Sequence, residues 1–245
     1  MPAQPGLDEK PLDAHPRWPL LSLRVGSAQP FGPRREPSAI AKSAVGGPVL
    51  LGLTGLMTDE QGDLRSHGGP EKALLHYPSE HYLAWRAEMT LDPKVANLEI
   101  GGFGENISTH GLSECDVAVG DIFELGEALI EVSQPRQPCW KLNIRFNVSN
   151  MALKVQNSGR TGWYYRVLRS GMVGPQDSLV RVERLDPDWT LRRVQKVLYH
   201  DRLNIDELTQ LATLRGLTPK MQSLAAARLQ HLKVENWDPR LNGRV

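Results

Sequence analysis

Frequent glycine and proline residues divide most of this chain into segments that are too short for long helices. The 245 residues include 22 glycines and 18 prolines. Between residues 20 and 185, turns rich in these two residues alternate with short extended stretches. A long series of short strands joined by turns is typical of a closed or nearly closed β-barrel. The sequence therefore predicts a mainly β fold with a few short helices.

About eight strands are predicted in this part of the chain. They cover residues 20–25, 39–45, 49–53, 73–77, 117–123, 128–133, 163–168 and 179–185. We expect a hairpin across Gly46-Gly47-Pro48 and a loop over residues 30–37. Two short helices are also predicted, over residues 80–89 after the capping residue Ser79 and over residues 151–157.

The pattern changes after residue 187, where apolar residues begin to recur at helical spacing. Thr190 precedes the first helix of this region, and Asn204 caps the second. Thr218 opens the third, with Pro219 at the first helical position, where proline is tolerated. The predicted domains are a β-barrel domain over residues 1–186, whose residues 1–19 form a loose arm, and a small three-helix domain over residues 187–245.

The composition excludes several classes of protein. A net charge of +1 argues against a general nucleic-acid-coating protein. The two cysteines, Cys115 and Cys139, are too few for a disulfide scaffold, an all-cysteine iron–sulfur cluster or a four-cysteine zinc site. The N-terminal residues do not have the pattern of a signal peptide, and no apolar run is long enough to span a membrane. We therefore expect a cytoplasmic protein that does not enter a membrane.

Charge is distributed unevenly between the two predicted domains. Residues 190–233 contain eight cations and three anions, which gives about +5, while the remainder of the chain contains 21 cations and 25 anions, which gives about −4. The helical domain and the barrel should therefore attract different partners.

Cys139 lies in a stretch, residues 133–142, in which positive charge surrounds a single thiol. Arg136 and Lys141 flank the cysteine, and positive charge favours the ionised thiolate. Two prolines before the cysteine fix the backbone and remove amide donors, which predicts an ordered loop rather than a helix or a central strand. The stretch suits a reactive or metal-ligating thiolate. The alternative is a half-buried cysteine that packs as a small apolar residue.

Two glycine-rich loops are candidates for binding an anion. One ends in His67-Gly68-Gly69-Pro70, and the other is Gly101-Gly102-Phe103-Gly104-Glu105-Asn106. Such loops can bring backbone N–H groups close to a phosphate, and the cations beside Cys139 would add to the attraction. Lys42 and Arg166, on predicted strands, are further candidates. The alternative is that the glycines only mark turns and that the arginine before Cys139 braces the loop.

Six motifs follow one another between about residues 38 and 185. They are Ser38-Ala39-Ile40-Ala41-Lys42; Gly55-Leu56 with Asp59-Glu60-Gln61; His67-Gly68-Gly69-Pro70 leading into Ala73 and His76-Tyr77-Pro78; Phe103-Gly104-Glu105-Asn106; Val119-Gly120-Asp121; and Gln134-Pro135-Arg136-Gln137-Pro138-Cys139-Trp140-Lys141-Leu142. In this order and spacing they resemble the MOSC-domain family, named for the C-terminal domain of molybdenum cofactor sulfurase, and specifically its YiiM-like branch. The tail resembles the three-helix domain that follows the barrel in that branch. One departure is Met57-Thr58, where relatives usually carry a glycine, which costs the loop backbone freedom.

The resemblance implies a β-barrel that binds the molybdenum cofactor, a molybdopterin bearing a phosphate. It makes Cys139 the molybdenum ligand, a role that suits a soft thiolate. It also makes His67 a candidate proton donor. The cofactor contacts that we expect from it are Lys42, His67, Gly68, Gly69, Gly104, Asn106, Arg136, Lys141 and Arg166.

The activity implied by the resemblance is the reduction of small N-hydroxylated compounds, such as N-hydroxylated purine bases. This reaction cleaves the N–O bond with two electrons and two protons and releases water, and the cofactor carries the redox chemistry. The chain lacks both the cysteines of an iron–sulfur cluster and the context of a dinucleotide fingerprint. Electrons are therefore expected from a separate flavin or iron–sulfur protein. The basic helices are its expected docking face, with a merely solvated face as the alternative.

Three other functions compete with this hypothesis. In a sulfur carrier, Cys139 would hold a persulfide, which needs the same low-pKa thiolate. In a DNA-binding module, residues 207–218 would form a helix-turn-helix, although the same residues also end one ordinary helix and cap the next. In a papain-like hydrolase, Cys139 would pair with His67, but their order is unusual and the sequence predicts no helix at the nucleophile.

Overall fold

The structure, a computed structural model, describes residues 15–63, 67–89 and 95–243. Its strands are β1 (Arg17–Pro19), β2 (Ser22–Val25), β3 (Gln29–Phe31), β4 (Glu36–Ser38), β5 (Ser43–Ala44), β6 (Val49–Gly52), β7 (Gly55–Leu56), β8 (Leu74–His76), β9 (Ile107–Ser108), β10 (Ile122–Leu125), β11 (Ala128–Pro135), β12 (Trp163–Arg169), β13 (Gly171–Val173) and β14 (Ser178–Glu183). Its α-helices are α1 (Ser79–Met89), α2 (Lys141–Phe146), α3 (Met151–Ser158), α4 (Leu191–Tyr199), α5 (Ile205–Thr213), α6 (Pro219–His231) and α7 (Asp238–Asn242).

The strands form one large curled sheet and two small ones. The order in the nine-stranded sheet is β1-β14-β10-β11-β12-β8-β9-β2-β5, and its neighbours are antiparallel except β8 and β9, which are parallel. Strands β13, β6 and β7 form a second sheet, and β3 pairs with β4. The predicted mainly β, barrel-type fold with short helices and a helical C-terminal region is confirmed. No helix in the described ranges is both long enough and apolar enough to cross a membrane.

Strand β11 lies between β10 and β12 and leads directly into the cysteine segment. From residue 128 to residue 132, buried and partly exposed positions alternate, as expected for a sheet with one face on the core. The register with β12 then shifts between Val132 and Gln134. Such a bulge bends a strand and redirects its side chains. Residues 133–135 are all buried, so the strand enters the interior just before Cys139.

The main apolar core joins the sheet to the C-terminal helices. Phe123, Trp163 and Tyr165 of the sheet belong to the same cluster of buried side chains as Leu191 and Leu198 of α4. A helix in a globular protein gains most of its stability by burying an apolar face in this way. The helical region is therefore packed on the barrel. The division into two domains at residue 187 stays a prediction.

A second, aromatic core lies under the loop that contains Gly104. Tyr77 and Phe103 stack with their ring centroids 4.0 Å apart, and Phe103 lies 4.5 Å from the ring of Phe146. Tyr82 and Trp85, on the buried face of α1, complete the cluster. Offset aromatic contacts of this kind add to the stabilisation from area burial alone. They give the glycine loop a rigid base.

Side-chain caps begin three of the C-terminal helices, as the sequence predicts. The side chains of Thr190, Asn204 and Thr218 accept hydrogen bonds from the backbone N–H groups of residues 193, 207 and 221, respectively. Pro219 occupies the predicted first position of α6. A fourth helix, α7, was not predicted, because five residues are too few to show a periodic pattern.

Several local predictions are wrong. Residues 30–37 form a hairpin, β3–β4, in which Pro30 lies opposite Pro37. A two-stranded ribbon tolerates prolines because each strand has a free edge. The predicted hairpin across residues 46–48 does not form: β5 pairs with β2, whereas β6 pairs with β7 and β13. The turn instead carries the chain from one sheet to another.

Three further segments differ from their predicted form. Only Ser43–Ala44 of the predicted strand 39–45 is a strand. In the predicted strand 117–123, Gly120 has φ +81 and the Asp121 carboxylate accepts from the Ala118 N–H at 3.0 Å, which makes a turn. In the predicted loose arm, residues 1–14 lie outside the described residues, while residues 17–19 pair with β14 as strand β1.

The shared core predicts how the chain unfolds. Leu198 of α4 is fully buried in it, so Leu198→Ala should cost about 2–5 kcal/mol of unfolding free energy. Leu203, 43% exposed, is the matched control, and Leu203→Ala should stay within about 0.5 kcal/mol. We expect one cooperative urea transition, observed by both circular dichroism and tryptophan fluorescence. Two separate transitions, of which Leu198→Ala shifts only one, would contradict a shared core.

Candidate active site

Cys139 lies in a five-residue connection between the central strand β11 and helix α2. The strand ends at Pro135 and the helix begins at Lys141. The prediction of a loop over residues 133–142 is therefore correct only for residues 136–140. The prolines did not prevent a strand because Pro135 is the last residue of β11, where the ladder ends. Cys139 itself is nearly buried, with 9% of its surface exposed.

The connection is held from the C-terminal end of the described chain. The backbone N–H of Trp140 donates to the carbonyl oxygen of Arg240 at 2.8 Å. The Arg240 guanidinium donates in turn to the carbonyl oxygen of Pro138 at 2.6 Å and to the Gln156 side-chain oxygen at 2.5 Å. Helix α7 therefore braces both sides of the cysteine in the sequence.

His67 is the side chain that contacts the thiol. Its Nε2 lies 3.3 Å from the Cys139 Sγ, and its buried Nδ1 has no hydrogen-bond partner in the described part of the chain. Burial, followed by repulsion from Lys141, Lys72 and Arg136, lowers the pKa of His67 to about 4. His67 is therefore a neutral imidazole at physiological pH in this structure. It can hold the sulfur by a hydrogen bond, but it does not carry the proton of an imidazolium.

Arg136 and Lys141 bring positive charge to a cleft that Asp59, Glu60 and Asp63 also line. Arg136 is 6% exposed and donates to the Phe103 carbonyl oxygen at 2.9 Å. Lys141 is equally buried and donates to the Pro37 carbonyl oxygen at 2.8 Å. Within the described ranges, neither has an ion pair shorter than 4 Å. Buried cations that bind only carbonyls are costly unless an anion compensates them, so these two residues predict an anionic ligand.

Lys42 and Asn106 are held by a carboxylate that the sequence analysis did not include in the site. The Lys42 ammonium donates to both oxygens of Asp59, at 2.6 Å to Oδ2. The Asn106 amide donates to the same oxygen at 2.8 Å, and its own oxygen accepts from the Leu75 N–H at 3.0 Å. The Lys42 and Asp59 side chains are only 7% and 5% exposed. The charge of Lys42 is therefore largely compensated, although burial still lowers its pKa.

Gly104 allows the second glycine loop to approach the irregular segment between β4 and β5. Its φ is +76, and a Cβ at this position would lie 2.9 Å from the Ile40 side chain. Both the backbone conformation and the close contact require glycine. The loop is also fixed by Glu105, whose carboxylate accepts from Tyr82 and from the Gly101 N–H, both at 2.6 Å.

These residues surround a cleft of about 610 Å³, including the part open to solvent. Seven of the predicted site residues line it together: Lys42, His67, Gly104, Asn106, Arg136, Cys139 and Lys141. The lining residues that the sequence analysis did not assign to the site include Asp59, Glu60, Gln61, Asp63, Lys72 and Tyr164. Lys72 follows the His67 loop by a few residues, and its Nζ lies 5.6 Å from the Tyr164 ring centroid. Proximity to the His67 motif was the signal that would have suggested it.

Three predicted residues do not line this cleft. Arg166 is used structurally: it donates to Glu71 at 2.9 Å and 2.5 Å, lies 3.1 Å from a Glu131 oxygen, and donates to the Gly216 carbonyl oxygen at 2.7 Å. Its ion pairs raise its pKa despite burial, so its charge is already neutralised. Gly68 and Gly69 also lie outside the cleft, and Gly69 donates its N–H to the Gln61 side chain at 3.2 Å.

Two of the competing hypotheses, the papain-like hydrolase and the DNA-binding helix-turn-helix, depend on where the helices begin. Helix α2 begins two residues after Cys139, so the expectation that no helix adjoins this cysteine is wrong. In the predicted helix-turn-helix, Thr218 is 1% exposed and donates to the Gln134 side-chain oxygen at 3.1 Å. The start of α6 is therefore packed against β11, whereas a recognition helix presents its N-terminal residues to the DNA groove.

The side chains present fit the molybdenum cofactor that the family resemblance implies. One thiol, a neutral imidazole and two cations without a salt bridge in the described part of the chain line a single cleft. In the described residues, no group of three or more histidine, cysteine or acidic side chains is arranged to hold a metal ion. The Cys139 thiolate is the soft ligand that the site can offer to such a cofactor, and Arg136 and Lys141 are the cations that it can offer to a phosphate.

The buried ion pair between Asp59 and Lys42 predicts that removing the Asp59 charge lowers the free energy of unfolding. Asp59→Asn should cost about 3 kcal/mol of unfolding free energy, because it leaves the Lys42 cation buried without a counter-charge. Adding Lys42→Met should recover part of that loss, since the buried charge is then removed as well. Asp188→Asn, at an exposed aspartate, is the control. Urea denaturation tests this, and equal stability of Asp59→Asn and the unaltered chain would show that the pair is not a structural element.

Comparisons with known proteins agree with this geometry. Residues 63–180 match the MOSC domain, and residues 189–232 match the YiiM-like, 3-alpha helix domain. Protein YiiM of Escherichia coli is 41% identical over 229 residues, which cover 93% of this chain and 100% of that protein. A protein of Gibberella moniliformis named Reductase is 37% identical over 213 residues, which cover 86% of this chain but only 37% of that longer protein.

Solved structures show the same fold. The crystal structure of YiiM from Escherichia coli has a TM-score of 0.76 and 35% identity, covering 92% of this chain and 98% of that one. The crystal structure of YiiM from Geobacillus stearothermophilus has a TM-score of 0.73 and 32% identity, covering 87% and 100%. With a MOSC domain, a YiiM-like helical domain and a full-length similarity to YiiM, this chain belongs to the MOSC-domain family, in its YiiM-like branch.

Proposed function

We propose that this protein is a reductase of small N-hydroxylated compounds, such as N-hydroxylated purine bases, and that it uses the molybdenum cofactor. The observation that carries the proposal is the nearly buried Cys139 thiol, 3.3 Å from a neutral imidazole, in a cleft with two cations that form no salt bridge to any described residue. Membership of the MOSC-domain family and similarity to a fungal protein named Reductase support it.

The cofactor contacts follow from the charges in the cleft. Cys139 would supply a thiolate to the molybdenum, and Arg136 and Lys141 would bind the negative charge of the phosphate. Gly104 would allow the backbone to approach the cofactor closely. When bound, the cofactor supplies the two-electron redox chemistry, and the protein supplies binding and orientation.

His67 and Asp59 have supporting roles in this proposal. The imidazole of His67 fixes the position of the sulfur by a hydrogen bond and can pass a proton only as a neutral N–H group or through water. Asp59 holds Lys42 and Asn106 in one arrangement, so the polar wall opposite the thiol is already in place before a ligand binds. Such preorganisation reduces the cost of binding.

Electrons would come from a separate flavin or iron–sulfur protein. The helical region offers fewer free cations than its sequence suggests, because Arg193 pairs with Glu207 and Arg228 is buried against Glu235. Lys196, Arg215 and Lys233 remain exposed for an acidic partner. Exposed charges of this kind raise the rate of encounter more than the affinity, so electron transfer should slow as salt rises.

Cys139→Ser tests the role of the thiol. The change is nearly isosteric, so the variant should fold with an unchanged melting temperature, lose its molybdenum and lose N-hydroxylamine reduction with a chemical electron donor. Cys115→Ser, at the exposed second cysteine, is the control and should retain both properties. A folded Cys139→Ser protein that still reduced the substrate would refute the proposal. Cyanide-labile sulfur without molybdenum in the unaltered protein would instead favour the sulfur carrier.

Arg136 and Arg166 make a matched pair of arginines. Arg136→Met should lower the molybdenum and pterin content per folded molecule, because it removes a cation from the cleft. Arg166→Met should leave that content unchanged but lower the urea midpoint, because it breaks the contacts with Glu71 and Glu131. Elemental analysis and denaturation on the same preparations test both. The reverse pattern would place the cofactor at Arg166.

A further inference from the structure

A second cleft adjoins the first at Cys139 and lies between the barrel and the C-terminal helices. It measures about 920 Å³, including the part open to solvent. Cys139 and His67 line both clefts, together with Lys72 and Tyr164. Lys141 and Asp63 also line both clefts, so the two clefts meet at the thiol.

The C-terminal helices form one wall of this second cleft. Lys220, in the first turn of α6, and Arg240, in α7, line it together with Trp140 and Tyr164. The side of the cleft nearest the barrel comes from β12 and from the cysteine connection. The helical region is thus part of the site and not an appendage to it.

Positive charge dominates the second cleft. Four cations line it, Lys72, Lys141, Lys220 and Arg240, against two carboxylates, Glu36 and Asp63. Glu36 also lies 3.8 Å from the Arg34 guanidinium, which reduces its effect on the cleft. The cleft therefore attracts an anion.

Lys72, shortly before β8, and Lys220, in the first turn of α6, both line this cleft. The pKa of Lys72 is lowered to about 8, first by burial and next by repulsion from Lys220. Two neighbouring ammonium groups repel less when an anion lies between them. A phosphate can accept hydrogen bonds from several lysines at once, because each lysine ammonium contributes a point charge and rotatable donors.

Two aromatic rings accompany these cations. Trp140 is partly exposed at the cleft, and Gly243 supports it: a Cβ at position 243 would lie 3.0 Å from the indole Cγ. Tyr164 lies on the other wall, with the Lys72 ammonium 5.6 Å from its ring centroid. Aromatic faces beside a line of cations are the combination by which proteins bind a base and its phosphate together.

We propose that the second cleft receives the substrate as a nucleotide, with the base beside Trp140 or Tyr164 and the phosphate between Lys72 and Lys220. The reduction at Cys139 rests on the proposed function, whereas the binding of a nucleotide in the second cleft does not depend on it. It narrows the substrate from N-hydroxylated bases to their 5′-monophosphates. It also gives the helical region a function in substrate recognition.

Isothermal titration calorimetry of the purified full chain with its cofactor tests the binding without requiring turnover. Adenosine 5′-monophosphate should bind about tenfold more tightly than adenosine, as expected for one charge-assisted contact. Lys220→Gln should remove most of this difference. Lys154→Gln, at an exposed lysine in the middle of α3, should retain it, and both substitutions keep a good helix former.

The outcomes are distinguishable. Equal affinity for the nucleotide and the nucleoside, or an equal loss in Lys154→Gln, would overturn the inference. A fall in molybdenum or pterin content in Lys220→Gln would also overturn it, because the phosphate would then belong to the cofactor. Nucleotide binding that depends on Lys220 in a protein without reductase activity would support the cleft and refute the proposed function. If both the nucleotide-binding cleft and the proposed reductase function are correct, kcat/KM should be about tenfold higher for the N-hydroxylated nucleotide than for its base.

Discussion

The position of strand β11 in the middle of the sheet is the constraint on which the site depends. Hydrogen bonds to β10 and β12 hold it on both sides, and a bulge after Val132 turns its last residues into the interior. The chain must then leave the sheet at one place and in one direction. That exit positions the Cys139 thiol, the flanking cations Arg136 and Lys141, and the start of α2. The sheet therefore determines the geometry of the site.

The electrostatics of the site follow from what surrounds the thiol. Several buried charges elsewhere form ion pairs: Lys42 binds Asp59, Arg166 binds Glu71, and Arg228 binds Glu235. Among the described residues, the hydrogen bonds of the Arg136 and Lys141 side chains go to carbonyl oxygens. Buried charge is costly when it is not compensated, so a protein that keeps two such cations beside a thiol gives up stability that an anionic ligand can restore.

Much of the fold was accessible from the sequence, and the failures have physical causes. Caps at Asn204 and Thr218 are local hydrogen bonds, so local sequence predicts them. The pairing of β5 with β2, instead of with the neighbouring β6, depends on contacts between residues that are distant in sequence, and no turn residue predicts it. Arg166 looked equivalent to Arg136 because both are cations on the barrel. Only the positions of acidic partners separate them, and those partners are distant in sequence, as Asp59 is from Lys42.

The contact between α7 and the cysteine connection has a consequence for the order in which the molecule is completed. The bond from the Arg240 guanidinium to the Pro138 carbonyl joins residues 102 positions apart. Closing a loop of this length costs conformational entropy, which other native contacts must offset. During synthesis the barrel strands up to β14 emerge before α7 exists. The cysteine connection therefore acquires its last support only when nearly the whole chain is available.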